Sequence, residues 1–265
     1  MTGAPGAGHG RTDPGTRHPL QCSVVIPAFN EAARLPRYLE EVVSYLGTRG
    51  EPWEVLVVDD GSTDGTAEVA RAMGARCPQV HLVRQPVNAG KGAAVRAGML
   101  AARGAWRMFT DADGATPIAE CKRLEAALAA GADVAIGSRF LPGAAPYRLG
   151  VLRRLGMGLF RLLARLLTDV RFSDVTSGFC AFNGDVVRFV ATEWYPTDYP
   201  DADVLITLRR AGFRLREVPV RMYPRAGGSS MHAGLKPIYY VFKMLLSVAL
   251  VPVRREAAAQ KKGLT

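Results

Sequence analysis

Cysteine is scarce in this sequence, and the few cysteines lie far apart. Four occur in 265 residues, and no two of them form a C-x-x-C pair: Cys22, Cys77, Cys121 and Cys180. This pattern argues against a zinc ribbon and against a disulfide framework, since both need clustered cysteines. It is typical of a protein in a reducing cytoplasm, and we expect a cytoplasmic location.

Targeting signals and long apolar runs are also missing. Residues 1–20 are rich in glycine and proline, lack the charged-then-apolar pattern of a signal peptide, and predict a disordered leader. The most apolar late stretch, residues 238–253, has 16 residues and contains Lys243. A helix that spans a membrane needs about 20 apolar residues, so we expect none.

Charge is unevenly distributed along the chain. The formal net charge is +10, yet residues 1–138 contain 14 basic and 15 acidic side chains, whereas residues 139–265 contain 20 basic and 9 acidic. The basic half indicates an anionic partner, which is either a membrane surface or a nucleic acid. Because no helix-turn-helix, zinc or base-stacking pattern accompanies the charge, we expect no nucleic acid partner.

Short runs rich in Val, Ile and Leu alternate with longer helical patterns in the first half of the chain. With 48% hydrophobic and 22% charged residues, the chain is globular and long enough for one sizeable domain. The predicted strands cover residues 22–26, 53–58, 80–84, 105–110 and 133–137, and the predicted helices cover residues 31–46, 64–73, 92–102 and 118–130. This alternation predicts an α/β fold with a mostly parallel, Rossmann-like sheet flanked by helices. Ligands bind such sheets beyond the carboxyl ends of the strands, so the residues after each strand are the candidate site.

Two aspartates follow the fourth predicted strand. Asp111 and Asp113 alternate around Ala112, so their side chains share one side of an extended chain. Two carboxylates in this position can hold a hard divalent cation whose other ligands are phosphate and water. An aspartate-rich turn is the alternative interpretation, because Asp and Gly dominate turns.

A second acidic pair, Asp59 and Asp60, follows the second predicted strand. Asp64 has a sufficient structural role as the cap of the next helix, and Gly61 permits a tight turn. The two adjacent carboxylates repel each other unless something binds them. We therefore expect them to recognise the base or the ribose of a nucleotide.

Two cations lie at the same predicted edge of the sheet. Lys91 stands in a Gly-Lys-Gly segment that opens a helix, where its ammonium can meet phosphate. The segment is not a P-loop, and a plain loop is an equal alternative. Arg139 ends an apolar strand, where it suits a phosphate or a diphosphate, and a surface cation is the alternative.

These motifs together resemble the GT-A glycosyltransferases of family 2. The resemblance rests on the segments VVIPAFNE, VDDGSTDGT, NAGKGAAVRAG and DADGAT at residues 24–31, 58–66, 88–98 and 111–116. Within the family they look most like polyprenyl-phosphate glycosyltransferases, in particular the dolichyl-phosphate β-glucosyltransferases, with the mannosyl-phosphate dolichol synthases next. The resemblance implies a GT-A domain at residues 21–232.

The resemblance also implies a role for each matching position. The family positions that contact the nucleotide are matched by Pro27, Phe29, Glu31, Val58 and Asp60. The metal and diphosphate motif is matched by Asp111, Ala112 and Asp113. An arginine that reaches the donor and a basic residue on a loop that folds over it are matched by Arg139 and Arg225. Asp203 matches an acidic position, which makes Asp113, Arg139 and Asp203 the expected catalytic residues, with Asp203 either a base or an orienting group.

The activity that the resemblance implies is inverting transfer of a hexose to a polyprenyl or dolichyl phosphate. It implies a nucleotide-diphosphate sugar donor, with UDP-glucose favoured and GDP-mannose next, and Mg²⁺ or Mn²⁺ as cofactor. Two alternatives stay open: a soluble family 2 enzyme with a hydroxyl acceptor, and a non-catalytic nucleotide-sugar-binding or membrane-scaffold protein. The processive members of the family carry an Arg-Trp pair that this chain lacks.

The basic half contains an amphipathic helix pattern at residues 147–167. Arg154, Arg161 and Arg165 fall on one side of this helix, and leucines fill another side. Such a helix can lie in the membrane interface with its arginines on anionic headgroups, or it can pack on the domain. Residues 233–265, a helix pattern with aromatic residues and a basic tail, have the same two interpretations. We expect peripheral binding to the cytoplasmic face of a membrane.

Asp174 and Ser177 follow the amphipathic helix and have two interpretations. They can line the acceptor side of the site, which is the functional interpretation. A turn that leads into a buried strand explains the segment equally well.

Overall fold

The structure is a computed structural model, and it describes residues 20–144, 172–174, 177–192 and 202–223. The predicted leader up to residue 19, the amphipathic helix 147–167, Arg225 and the C-terminal segment 233–265 lie outside these residues. Within the part of the chain that is described, no helix is long and apolar enough to cross a membrane.

A seven-stranded sheet forms the centre of the domain. Its strands are β1 (Cys22–Ala28), β2 (Trp53–Asp59), β3 (Val80–Arg84), β4 (Trp106–Thr110), β5 (Val134–Ser138), β6 (Phe179–Asn183) and β7 (Leu215–Pro219). The spatial order is β3-β2-β1-β4-β6-β5-β7. Strand β6 runs antiparallel to β4 and β5, and all the other pairs are parallel. The predicted mostly parallel sheet is confirmed.

Helices cover both faces of the sheet. They are α1 (Leu35–Gly47), α2 (Thr66–Arg76), α3 (Lys91–Ala101), α4 (Cys121–Ala129), α5 (Gly184–Thr192) and α6 (Ala202–Arg210). Successive strand residues point to opposite faces, and this divides the apolar residues into two cores. Val24 and Ile26 pack with α1, α2 and α4 on one face, whereas Val25 packs with α3, α5 and α6 on the other.

The first helix begins later than the pattern predicts. The main-chain amides of Arg34 and Leu35 donate hydrogen bonds of 3.0 and 2.9 Å to the carbonyl oxygen of Glu31, which closes a turn before α1. Pro36 then lies in the first turn of α1, where its missing amide hydrogen costs no helical hydrogen bond. Residues 31–34 therefore belong to the loop that follows β1, at the candidate edge of the sheet.

The register of the strands brings several chain segments to one edge of the sheet. Ala28 pairs with Asp59, and Asp59 pairs with Arg84, so β1, β2 and β3 end side by side. Strands β4 and β5 point in the same direction because β6 lies antiparallel between them. The antiparallel direction of β6 also brings its first residues, with Ser177 and Gly178 before them, to this edge.

Candidate active site

The two carboxylates at the end of β2 hold the loops around them. Asp60 is buried, and its Oδ1 and Oδ2 accept hydrogen bonds of 2.9 Å from the amides of Ala89 and Gly90. Burial raises the pKa of Asp60 above its ordinary value in spite of these two bonds. Asp59 accepts a bond from the amide of Ser62 at 3.0 Å and has the guanidinium of Arg84 beside it. The expectation that the acidic pair lacks structural partners is therefore wrong.

The loops after β1 and β2 are also joined to each other. The side chain of Asn30, whose φ of 54° lies in the left-handed region, accepts a hydrogen bond from the amide of Thr63 at 2.9 Å. Asp64 accepts hydrogen bonds from the amide of Thr66 at 3.0 Å and from the amide of Ala32 at 3.1 Å. The N-cap of α2 is Gly65, so the prediction of Asp64 as the cap is wrong by one residue. These bonds fix the position of the Phe29–Glu31 segment.

Lys91 is the first residue of α3, and its ammonium forms an ion pair with Oδ1 of Asp111. Gly90, at φ 92°, makes the sharp change of direction into the helix that a side chain would oppose. The side chain of Lys91 is 16% exposed and that of Asp111 is 27% exposed, so the pair is largely shielded from solvent. The segment opens a helix as predicted, and its lysine faces a carboxylate.

Gly178 covers the other side of the Asp111 carboxylate. A methyl group on Gly178 would stand 2.5 Å from Cγ of Asp111 and would be closest to Oδ2. A side chain at this position would have to displace the Asp111 carboxylate. That carboxylate is thus paired with an ammonium and closely packed against Gly178.

The segment Asp111–Asp113 combines the two interpretations that the sequence left open. Oδ1 of Asp113 accepts a hydrogen bond of 3.0 Å from the amide of Ala115, and Gly114 has a φ of 65°, both features of a turn. Ala112 between the aspartates is buried in the core. The turn therefore places both carboxylates outside the core, on the ligand side of the sheet.

Tyr38 of α1 supports this turn from below. Its hydroxyl shares a hydrogen bond of 2.7 Å with Thr110 and lies 3.3 Å from the carbonyl oxygen of Thr116. Burial raises the pKa of Tyr38, so it stays neutral at every physiological pH. Sequence reasoning missed this residue because it looks like any apolar position of an amphipathic helix.

Asp111 and Asp113 can hold a divalent cation if a phosphate supplies some of its other ligands. No group of three or more Cys, His, Asp or Glu side chains suited to a metal occurs among the described residues. Mg²⁺ is commonly held by one or two carboxylates together with substrate phosphates and water, and this donor set matches that pattern. The Asp111 carboxylate already binds one cation, the ammonium of Lys91.

Arg139 is oriented by Asp174. The arginine Nε and Nη2 donate to Oδ2 and Oδ1 of Asp174 at 2.7 and 2.6 Å. The Arg139 side chain is 11% exposed, so the alternative of a surface cation is wrong. The sequence assigned Arg139 to the donor and Asp174 to the acceptor side without predicting that they would meet.

Glu217 of β7 holds the turn that carries Asp174. Its carboxylate accepts hydrogen bonds from the amide and hydroxyl of Ser173 and from the amide of Asp174, at 2.8 to 3.0 Å. Sequence reasoning missed Glu217 because it belongs to no motif. A carboxylate within a strand next to the candidate edge was the only available signal.

The remaining predicted residues have different surroundings. Phe29 is 44% exposed at the end of β1, whereas Pro27 and Val58 are buried in their strands, which leaves only their main chain for a ligand. Glu31 is paired with Arg34 through two bonds of 2.6 Å. Ser177 is buried just before β6, and its hydroxyl accepts a hydrogen bond of 3.3 Å from the amide of Phe179.

Asp203 lies in α6, but its side chain falls outside the part of the structure that is described. Arg225 and the arginines Arg154, Arg161 and Arg165 lie wholly outside the described residues.

The order of the strands defines a GT-A fold, as predicted. The structure of glucosyl-3-phosphoglycerate synthase from Mycobacterium tuberculosis in complex with Mg²⁺ and UDP matches this one with a TM-score of 0.64 at 24% sequence identity. The match covers 86% of this chain and 79% of that chain. The protein is therefore of the GT-A class, which the fold establishes without reference to substrate.

The family follows from the sequence comparison. The model of glycosyl transferase family 2 matches residues 23–189, more than half of the chain, and the chain belongs to this family. It is 34% identical over 221 residues to a dolichyl-phosphate beta-glucosyltransferase of Trichomonas vaginalis, covering 79% of this chain and 67% of that protein. It is 33% identical over 243 residues to the polyprenol monophosphomannose synthase of Mycolicibacterium smegmatis, covering 88% and 89%.

Proposed function

We propose that this family 2 glycosyltransferase moves a hexose, glucose in preference to mannose, from a nucleotide-diphosphate sugar to a polyprenyl phosphate. The observation that carries the proposal is that the ion pair of Lys91 with Asp111 and the guanidinium of Arg139, held by Asp174, both follow strand ends at one edge of the sheet. A carboxylate paired with one cation, and a second oriented cation at the same edge, suit a metal-bound diphosphate. The names of the relatives support the choice of sugar and acceptor.

The donor lies across the ends of β1, β2 and β4 in this proposal. Phe29, Glu31 and Asp60, with the main chain of Pro27 and Val58, contact the nucleotide. Lys91, Arg139 and Arg225 bind phosphate oxygens. UDP-glucose is the preferred donor and GDP-mannose the second.

Asp111 and Asp113 would hold Mg²⁺ or Mn²⁺, with the main chain of Ala112 between them, and the cation supplies positive charge for the leaving diphosphate. The acceptor phosphate attacks the anomeric carbon from the side opposite the diphosphate, which inverts the configuration there. A phosphate monoester is already largely ionised at pH 7, with a second pKa of about 6, so the attack needs little help from a base. Asp203 then orients the acceptor, and Asp174 and Ser177 shape its side of the site.

Membrane binding completes the proposal, because the acceptor is a lipid. Residues 21–232 form the catalytic domain, and residues 1–20 form a leader. The arginine face of the helix 147–167 and the segment 233–265 rest on the anionic cytoplasmic face of a membrane. Arg154, Arg161 and Arg165 contact its headgroups.

The test uses the full chain with Mn²⁺, a polyprenyl phosphate in anionic vesicles, and either UDP-glucose or GDP-mannose. We expect UDP release that depends on the lipid, a glucosylated lipid product, and slower turnover of GDP-mannose. Asp113→Asn should lower the rate about 100-fold or more. Asp185→Asn, at an exposed ion pair, is the matched control and should leave the rate unchanged.

Two results would contradict the proposal. Transfer to a soluble hydroxyl acceptor and not to the lipid phosphate identifies a soluble family 2 enzyme. Binding of UDP-glucose without turnover on any acceptor identifies a non-catalytic protein.

A further inference from the structure

The ion pair of Lys91 and Asp111 occupies the place that the proposed metal needs. The ammonium binds Oδ1 of Asp111, and Gly178 lies so near that a Cβ built on it would stand within 2.7 Å of both carboxylate oxygens. The carboxylate is therefore crowded. A divalent cation that binds it has to compete with the ammonium of Lys91.

Lys91 cannot withdraw far from this position. The amide of Gly90, the residue before it, is bonded to the buried Asp60 at 2.9 Å, and Lys91 then starts α3. Only the flexible side chain can move, while the backbone stays at the edge of the sheet. The ammonium therefore remains within reach of whatever anion binds beside Asp111.

A cation at the first residue of a helix is in an unfavourable place. The amino-terminal end of a helix carries a partial positive charge, and a lysine there needs an anion. Asp111 supplies that anion in the structure. A divalent cation on Asp111 competes with the ammonium for this carboxylate and adds a repelling charge, so metal alone displaces Lys91 at a cost.

We infer that Lys91 is the counter-ion of Asp111 in the free protein and moves onto the donor diphosphate when the metal binds. This inference rests on the proposed function, because it takes Asp111 as a metal ligand. The diphosphate gives the ammonium a new anion while it also ligates the metal. Metal and nucleotide then bind cooperatively, and Lys91 is the residue that couples them.

The test measures Mn²⁺ affinity by the paramagnetic resonance of free Mn²⁺, with and without UDP, and needs no turnover. Lys91→Met should bind Mn²⁺ alone more tightly than the wild type, because no ammonium competes for Asp111. The same variant should bind UDP with Mn²⁺ more weakly, because a phosphate contact is lost. The cooperativity between Mn²⁺ and UDP should fall by roughly 5- to 150-fold, the usual range of coupling between two sites.

Three further variants make the result specific. Lys91→Arg keeps the cation and should retain the cooperativity. Lys122→Met, on the exposed face of α4, is the matched control and should behave as the wild type. Thermal melting of each variant checks that it is folded.

Two outcomes separate this inference from the proposed function. If Lys91→Met binds Mn²⁺ alone no more tightly than the wild type while Asp111→Asn binds none, the metal site stands and the role of Lys91 is wrong. If Asp111→Asn binds Mn²⁺ as the wild type does, the metal site itself is wrong and the inference falls with it.

Discussion

Arg139 and Asp174 are joined by two side-chain hydrogen bonds of 2.7 and 2.6 Å across 35 residues of sequence. The amide of Arg139 also donates to Oδ2 of Asp174 at 3.1 Å. The carboxylate is wholly buried, so the guanidinium is its counter-ion and cannot rotate freely. The arginine at the end of β5 is thus oriented before any ligand arrives.

Replacing Asp174 with Asn should damage both stability and transfer. The variant keeps the shape of the side chain but removes the charge that pairs with Arg139, and breaking a buried ion pair costs about 3 to 5 kcal/mol of unfolding free energy. A misplaced phosphate-binding arginine should lower kcat/KM about 100-fold. Urea unfolding and initial rates over a range of donor concentrations measure the two effects and separate kcat from KM.

The matched control for Asp174→Asn is Asp185→Asn. Asp185 pairs with Arg188 in an exposed i,i+3 geometry on α5. Such pairs contribute about 0 to 1 kcal/mol, so this variant should stay close to the wild type in both measurements. Equal losses in the two variants would show that burial of the Arg139 pair is unimportant.

A methyl group at Gly178 should displace the proposed metal ligand. In Gly178→Ala this methyl group would overlap the Asp111 carboxylate, which must then move away from its present position. We expect Mn²⁺ affinity in the presence of UDP to fall about 10- to 100-fold, while the far-ultraviolet dichroism stays that of the wild type. Calorimetric titration of Mn²⁺ measures the loss.

Gly47→Ala at the end of α1 is the control for that substitution. A methyl group there meets no atom within 4 Å, and Ala is the better helix former by about 1 kcal/mol. The control should therefore bind Mn²⁺ normally and melt no lower than the wild type. Normal Mn²⁺ binding by Gly178→Ala would mean that Asp111 has room to adjust.

Tyr38→Phe tests the support beneath the aspartate turn. The change removes the bond to Thr110 and leaves that buried hydroxyl without this partner, which should cost about 1 to 3 kcal/mol. Chemical denaturation measures this loss, and UDP titration should report weaker binding because the turn loosens. Tyr223→Phe, whose ring is exposed, should change neither property.

The sequence predicted the sheet well because the signals for it are local. Buried parallel strands are continuous apolar runs, and the strand predicted over residues 80–84 has the bounds that β3 shows. Helix starts were less accurate, since α1 begins at Leu35 and not at residue 31. There the turn closed by Glu31 decides the boundary, and hydrophobic periodicity does not report such a bond.

The sequence named candidate residues at the strand ends, but it predicted neither their pairings nor the supporting Tyr38 and Glu217. Lys91 with Asp111 and Arg139 with Asp174 join chain segments that only the packed sheet brings together. Spacing along a sequence does not encode such distances. The acidic pair was misjudged for the same reason. The sequence shows no structural partner for Asp60, whereas in the structure the amide of Ala89 donates a hydrogen bond to it.

At the opposite edge of the sheet, Glu54 makes stability depend on pH. Its buried carboxylate accepts hydrogen bonds from the hydroxyl of Ser23 at 2.7 Å, from the amide of Arg103 at 2.6 Å and from the Arg103 guanidinium at 2.9 Å. Burial alone opposes ionisation of Glu54, but these bonds outweigh it and lower the pKa. The ionised carboxylate therefore stabilises the fold.

Glu54→Gln should be less stable than the wild type at pH 7 by about 1.5 to 3 kcal/mol, since the charged hydrogen bonds are lost. Because the pKa of Glu54 is lower in the folded protein, its stabilisation is complete above the unfolded value of about 4.3 and disappears as pH falls through the folded value. Urea unfolding from pH 7 to pH 3 should thus show the gap between the two proteins narrowing only below about pH 4. Glu40→Gln, at an exposed pair with Arg76, should show no such gap at any pH. A gap that stays constant down to pH 3 would mean that the shape of Glu54, and not its charge, stabilises this edge.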